Sequence, residues 1–149
     1  MKHFTVYSLM NPQGLACAVF LLLSVGCGGP AYEFVPVAGE VTLDGNPLTD
    51  AEVRFQPLTG AGSENPGPGS VGRTHEQGEF VLHSTLDPKQ PGAVPGEHRV
   101  WITTAREDLS SESGGASTAE QVPPQYLDGI PFQVPPEGTD RAVFELTSH

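Results

Sequence analysis

From residue 35 onward the chain alternates. Val35, Val37, Val41 and Leu43 are apolar, with Glu40 and Thr42 among the positions between them. A two-residue period puts successive side chains on opposite faces, so this stretch predicts a half-buried strand. Pro36 lacks an amide proton and belongs at the strand's start or edge. Gly39 falls on the inward face, where a bulge or close sheet packing suits it. Ala51, Val53 and Phe55 alternate in the same way with Glu52, Arg54 and Gln56. Between the two runs, Asp44-Gly45-Asn46-Pro47 predicts a tight turn, because Gly accepts positive φ cheaply. The matching parity predicts one long hairpin. Residues 71–75 and 79–83 flank Glu76-Gln77-Gly78 as a second hairpin, with Phe80 and Leu82 on one face. Residues 98–104 form a strong strand, Val100 and Ile102 facing one way and Trp101 the other. A short strand at 132–134 follows. The last strand alternates Ala142, Phe144 and Leu146 with Val143 and Glu145.

The connections are rich in turn formers. Residues 57–70 read PLTGAGSENPGPGS, a long loop of the kind that is functional or mobile. Residues 105–121 are polar and Ser/Gly/Glu-rich, which predicts a solvated, mobile loop. Residues 122–126 form a short helical turn or an extended tack onto the core. With 18 Gly and 15 Pro the chain is a poor candidate for a helical bundle. Six or seven short strands within residues 35–149 predict a single all-β domain, an antiparallel β-sandwich.

The start of the chain follows other rules. Residues 15–25 read LACAVFLLLSV, an apolar run broken only by Ser24. That is shorter than the ~20 residues a transmembrane helix needs, and fits the apolar core of a signal peptide over residues 1–26. Leu23-Ser24-Val25-Gly26-Cys27 resembles the lipobox of bacterial lipoproteins. The resemblance implies diacylglycerol on the Cys27 thiol, cleavage between Gly26 and Cys27, and an acylated (palmitate-type) amino terminus. It also implies residence in the bacterial cell envelope, at the outer membrane, on its periplasmic or surface side. Ser24 departs from the Leu that is commonest at its place. Residues 27–34, opening Gly28-Gly29-Pro30, then serve as a tether. The alternative is an ordinary cysteine beside a plain cleavage site. Cys17 lies in the apolar run and leaves with it, so the mature chain has one cysteine and no internal disulfide; a lipid thioether would cap it.

The domain itself carries a second resemblance. Residues 39–48, GEVTLDGNPL, followed by Ala51-Glu-Val-Arg-Phe55, are similar to the opening of carboxypeptidase-regulatory-like domains. Gly78-Glu-Phe80 fits a later strand after a glycine turn. Gly92-Ala-Val-Pro-Gly96 with Val100-Trp-Ile102 fits the closing part. The resemblance covers roughly residues 36–104 and implies a transthyretin-like (prealbumin-like) sandwich of about seven strands. A sandwich relative that hydrolyses 5-hydroxyisourate ends in a Tyr-Arg-Gly-Ser-like tetrapeptide; this chain ends FELTSH, so no catalytic residue is carried over.

Charge narrows the function. The chain has 7 Lys+Arg against 18 Asp+Glu, a net charge of −11. Removing residues 1–26 takes away Lys2 alone among charged groups and leaves −12. Nucleic-acid binding needs a basic footprint, so it is not expected. Acidic residues are spread along the chain, as on a soluble, self-repelling surface. His75, His83 and His98 are read as surface or rim histidines; the alternative is a metal or hydrolytic site, which needs three or four ligands to converge. Asp44 and Asp50 suggest turn chemistry rather than calcium, since Pro47 and Leu48 interrupt any ligand spacing. Loop serines lack a nucleophile context, and no motif asks for a cofactor. Trp101 either packs under a long loop or belongs to a recognition patch. The leading expectation is a non-enzymatic envelope lipoprotein, lipid-anchored at Cys27, acting as a structural or protein-interaction module with loops 57–70 and 105–121 as contact surfaces. A carbohydrate- or ligand-binding module using Trp101 is the alternative.

Overall fold

The computed structural model describes residues 32–59, 65–105 and 119–149. The apolar run, Gly26, Cys27, most of the tether and the centres of both long loops lie outside them. Nine strands follow in order: β1 (Val37–Leu43), β2 (Asn46–Pro47), β3 (Glu52–Pro57), β4 (Ser70–Arg73), β5 (Glu79–Val81), β6 (His83–Ser84), β7 (Gly96–Thr103), β8 (Ile130–Val134) and β9 (Thr139–Leu146). Seven of them are three residues or longer, the number expected. A 3₁₀ turn, Pro124–Tyr126, precedes β8. Among the described residues no helix is long and apolar enough to cross a membrane.

The strands form two sheets. In the first, β1 is flanked on one edge by β2 and β5 and on the other by β9. The second runs β6-β4-β3-β7-β8, antiparallel throughout. In the first sheet β1 pairs antiparallel with β2 and β5 but parallel with β9, so the first and last strands of the domain run side by side in one direction.

Neither expected hairpin forms as one ladder. Asp44 (φ 51°) and Gly45 (φ 78°) make the expected tight turn, but it returns only through β2, pairing Leu43 with Asn46. The chain then crosses to the other sheet. Leu48 is buried between the layers, Asp50 takes φ 58° to redirect the backbone, and β3 begins beyond Ala51. Parity could not reveal this, because both strands bury the same alternate positions whether they share a sheet or face each other across a core. The turn at 75–78 is likewise real, with Gly78 N–H bonded to the His75 carbonyl at 2.9 Å. Yet β4 and β5 belong to different sheets, and β4 pairs with β6 instead.

The two inner faces meet in one core. Val37, Val41, Phe80, Ala142, Phe144 and Leu146 come from the first sheet; Val53, Phe55, Val100, Ile102 and Val134 come from the second. Phe55 is central: its ring centroid lies 5.4 to 6.4 Å from those of Phe132, Phe144 and Phe80. Tilted and edge-on contacts at such separations add to the stabilisation from burial. Gly39 sits in the β1–β9 seam, where the register shifts between Val37 and Gly39. A Cβ there would lie 2.0 Å from the Ala142 carbonyl oxygen, so only glycine lets the strands close.

Candidate functional site

The outer face of the second sheet carries a pocket of about 530 Å³. Its floor follows from strand alternation. With Val53, Phe55, Val100 and Ile102 turned inward, Arg54, Gln56, Trp101 and Thr103 must face out, and Arg54 and Trp101 are direct cross-strand neighbours. Its wall is the segment 119–129, contributing Glu120, Val122, Tyr126 and Leu127.

Trp101 is 36% exposed. Its indole N–H donates to the Leu127 carbonyl at 3.2 Å, and Gly129 lies against the ring, where a Cβ would approach it to 3.0 Å. One part of the indole packs under a connection, and the other faces the pocket. Ring and wall are held as a unit.

Glu120 is the clasp of that wall. One carboxylate oxygen accepts the Thr104 and Val122 amides, both at 2.9 Å, and the Thr104 hydroxyl at 2.9 Å; the other accepts the Thr103 hydroxyl. The Gln121 amide donates back to the Thr104 hydroxyl at 2.7 Å. Burial works to raise the pKa of this carboxyl, but the hydrogen bonds from Thr103, Thr104 and Val122 outweigh it and hold it at about 2. The chain therefore leaves the sheet after Thr104 and is gripped again at Glu120. At the far end, Tyr126 Oη accepts the Thr147 amide at 3.0 Å and Gln125 donates to the Thr147 carbonyl at 2.7 Å. Hydrogen bonds from the Thr147 side chain and backbone lower the Tyr126 phenol below its usual pKa. Arg54 pairs with Glu52 at 2.8 Å on the open side.

The three histidines do not converge. His75 and His83 border one shallow depression beside Arg73. His98 lies on the inner face of the second sheet, 1% exposed, with its ring centroid 5.7 Å from that of Phe55. The expectation of a surface or rim histidine is therefore corrected for His98: its parity with Val100 and Ile102 puts it in the core. Its Nδ1 donates to the Gly96 carbonyl at 3.0 Å, which leaves buried Nε2 an acceptor without a partner among the described residues. Burial pushes its pKa down, and the Gly96 bond only partly offsets this. Among the described residues no three His, Cys, Asp or Glu side chains are placed to hold a metal ion. Asp44 caps the end of the chain, accepting the Ser148 amide at 3.0 Å, which lowers its pKa.

Glu120, Tyr126 and Gly129 escape sequence reasoning. Beside the local Val122 amide, the partners of Glu120 are Thr103 and Thr104, 17 and 16 residues upstream, so local spacing does not mark it as a clasp. The adjacent threonines Thr103 and Thr104 at a strand end were the available signal. No family model, no curated protein and no solved structure matches this chain.

Proposed function

We propose that the chain is a non-enzymatic lipoprotein of the bacterial envelope, held to a membrane by lipid on Cys27. Its carboxypeptidase-regulatory-like sandwich acts as a structural or interaction module. The anchor rests on the apolar run ending in Leu23-Ser24-Val25-Gly26-Cys27. One observation carries the recognition role: the polar groups around the Trp101 pocket are engaged with one another. Glu120 serves Thr103, Thr104 and Val122, Tyr126 serves Thr147, and the indole N–H serves Leu127. Groups tied up in this way hold a shape rather than move protons, and a rigid pocket with one exposed aromatic face is suited to binding. Mass spectrometry of the mature protein tests the anchor. Diacylglycerol and acyl mass on an amino-terminal Cys27 is expected; an unmodified thiol, or unchanged membrane partitioning of Cys27→Ala, overturns it.

A second reading, binding of a carbohydrate, is favoured by the exposed indole beside the planar polar groups of Arg54 and Gln56. Trp101 is the chain's single tryptophan, so its fluorescence reports the pocket directly. Titration with envelope glycans should shift the emission, and glycans that leave both emission and mobility unchanged remove this reading.

A further inference from the structure

β9 is eight residues long and, among the described residues, pairs with a strand along one edge only, that of β1. A strand edge of that length, left open, is a template for another strand. Backbone groups show which residues would serve it. The Leu146 carbonyl accepts the Asp44 amide at 2.8 Å on the β1 side. Thr147 turns its amide and carbonyl the other way, to Tyr126 and Gln125. From Ala142 onward backbone direction alternates, so Val143 and Glu145 present their N–H and C=O groups to the open edge. The extra residue between Thr139 and Ala142 leaves Arg141 offering its carbonyl there, with its amide on the Thr139 hydroxyl. Their side chains stand on the outer face, with Val143 46% exposed.

We propose that the occupant of this edge is β9 of a second copy, antiparallel, with the two-fold axis at Val143. Register singles out this pairing. Antiparallel self-pairing through the odd positions permits only a few alignments. Centring on Val143 sets Val143 against Val143 and places Arg141 opposite Glu145 twice, once on each side of the axis. Sliding by two residues in either direction sets Arg141 against Val143 or Thr147, and both charge pairs are lost. Opposite charges directly across an antiparallel pair stabilise it, and like charges destabilise it. The strand is thus self-complementary in one register. Neither existing contact of Arg141 obstructs this. Its ion pair with Asp140 is 3.8 Å long and highly exposed, and its amide bond to the Thr139 hydroxyl (3.1 Å) is a local one that a partner carbonyl replaces. Pairing joins β1-β9 and its copy into one continuous sheet. The contact is small, so the dimer is a weak one.

The test uses the chain with Cys17→Ala and Cys27→Ser, which removes the lipid and all native thiols. Sedimentation equilibrium should show a monomer–dimer equilibrium. Arg141→Glu sets Glu against Glu at both pairs and should weaken dimerisation by about ten- to a hundredfold, as should Glu145→Arg. The double variant, which exchanges the charges, should restore it. Val143→Cys in the same background should oxidise to a disulfide-linked dimer, since hydrogen-bonded antiparallel pairs hold Cα atoms about 5.5 Å apart, within disulfide reach. Val81→Cys, on exposed β5, should not. A chain that stays monomeric up to millimolar concentration overturns the proposal, as does a double variant no better than either single one. Cross-linking at Val81 as fast as at Val143 overturns the register. None of these readouts depends on the anchor or on the Trp101 pocket.

Discussion

Substituting Gly39 by alanine should damage the fold far more than its size suggests. The added methyl would sit 2.0 Å from the Ala142 carbonyl oxygen and within 2.8 Å of the Ala142 carbonyl carbon and Cα. All three are backbone atoms of the neighbouring strand, so no side chain can rotate away. Ordinary contact needs about 3.4 Å, and the β1–β9 seam must open by more than an ångström at that point. Opening there takes out two or three ladder bonds, each worth about 1 kcal/mol net, and adds overpacking strain of about 1–3 kcal/mol. The expected loss is about 3–5 kcal/mol, a large share of the ~5–15 kcal/mol of a typical domain. Gly45 supplies the control. It has φ +78°, and a Cβ added there would meet nothing within 4 Å, so Gly45→Ala adds only left-handed strain, about 1–2 kcal/mol. Urea unfolding followed by circular dichroism measures both. A Gly39→Ala midpoint no lower than that of Gly45→Ala would refute the reasoning about the seam.

Four further outcomes are expected. His98 has a lowered pKa in the folded state, so the unfolded chain takes up its proton first as pH falls. Stability is therefore lost as pH drops below about 6.5, with a slope of up to about 1.4 kcal/mol per pH unit until the folded group titrates; His98→Leu should flatten that part of the urea-midpoint profile. Phe144→Ala, which removes a ring packed on Phe55, Phe80 and Phe132, should cost about 3–5 kcal/mol by the same unfolding assay. Glu120→Gln keeps the shape of the clasp but weakens four hydrogen bonds, so the Thr104 and Val122 amides should exchange hydrogen faster while those of β3 are unchanged. The folded pKa of about 2 lies below the unfolded value, so the ionised clasp should persist from neutral pH and be lost only as pH falls toward 2, read by the Trp101 emission.

The strands are legible in the sequence because one face of each is buried and the other is wet. Val53, Phe55, Val100, Ile102, Ala142, Phe144 and Leu146 all occupy the inner face that alternation assigns them. The partner of each strand is not legible, for the reason the two missing hairpins show: a period of two fixes which side chains point inward but not which sheet carries them. The parallel pairing of β1 with β9 joins residues about a hundred positions apart, with no turn chemistry to announce it. In the site, Trp101 stands out as an aromatic among polar outward positions. The wall above it does not, because Glu120 and Tyr126 act through residues distant in sequence. His98 reads as a surface group by residue type alone; its strand parity, visible in the same alternation, already places it inside.

The parallel seam between the first and last strands also governs how the domain answers to force. A pull applied between the two ends of the chain draws on the start of β1 and the end of β9, which lie at opposite ends of the same ladder. The load therefore slides the strands past one another, and the bonds of the ladder resist together instead of opening one at a time as in a zipper. Were the domain held ahead of β1 and pulled beyond β9, the seam closed by Gly39 would be the mechanical fuse. The rate at which it slips, rather than the equilibrium stability of the core, would set how long the domain survives under tension.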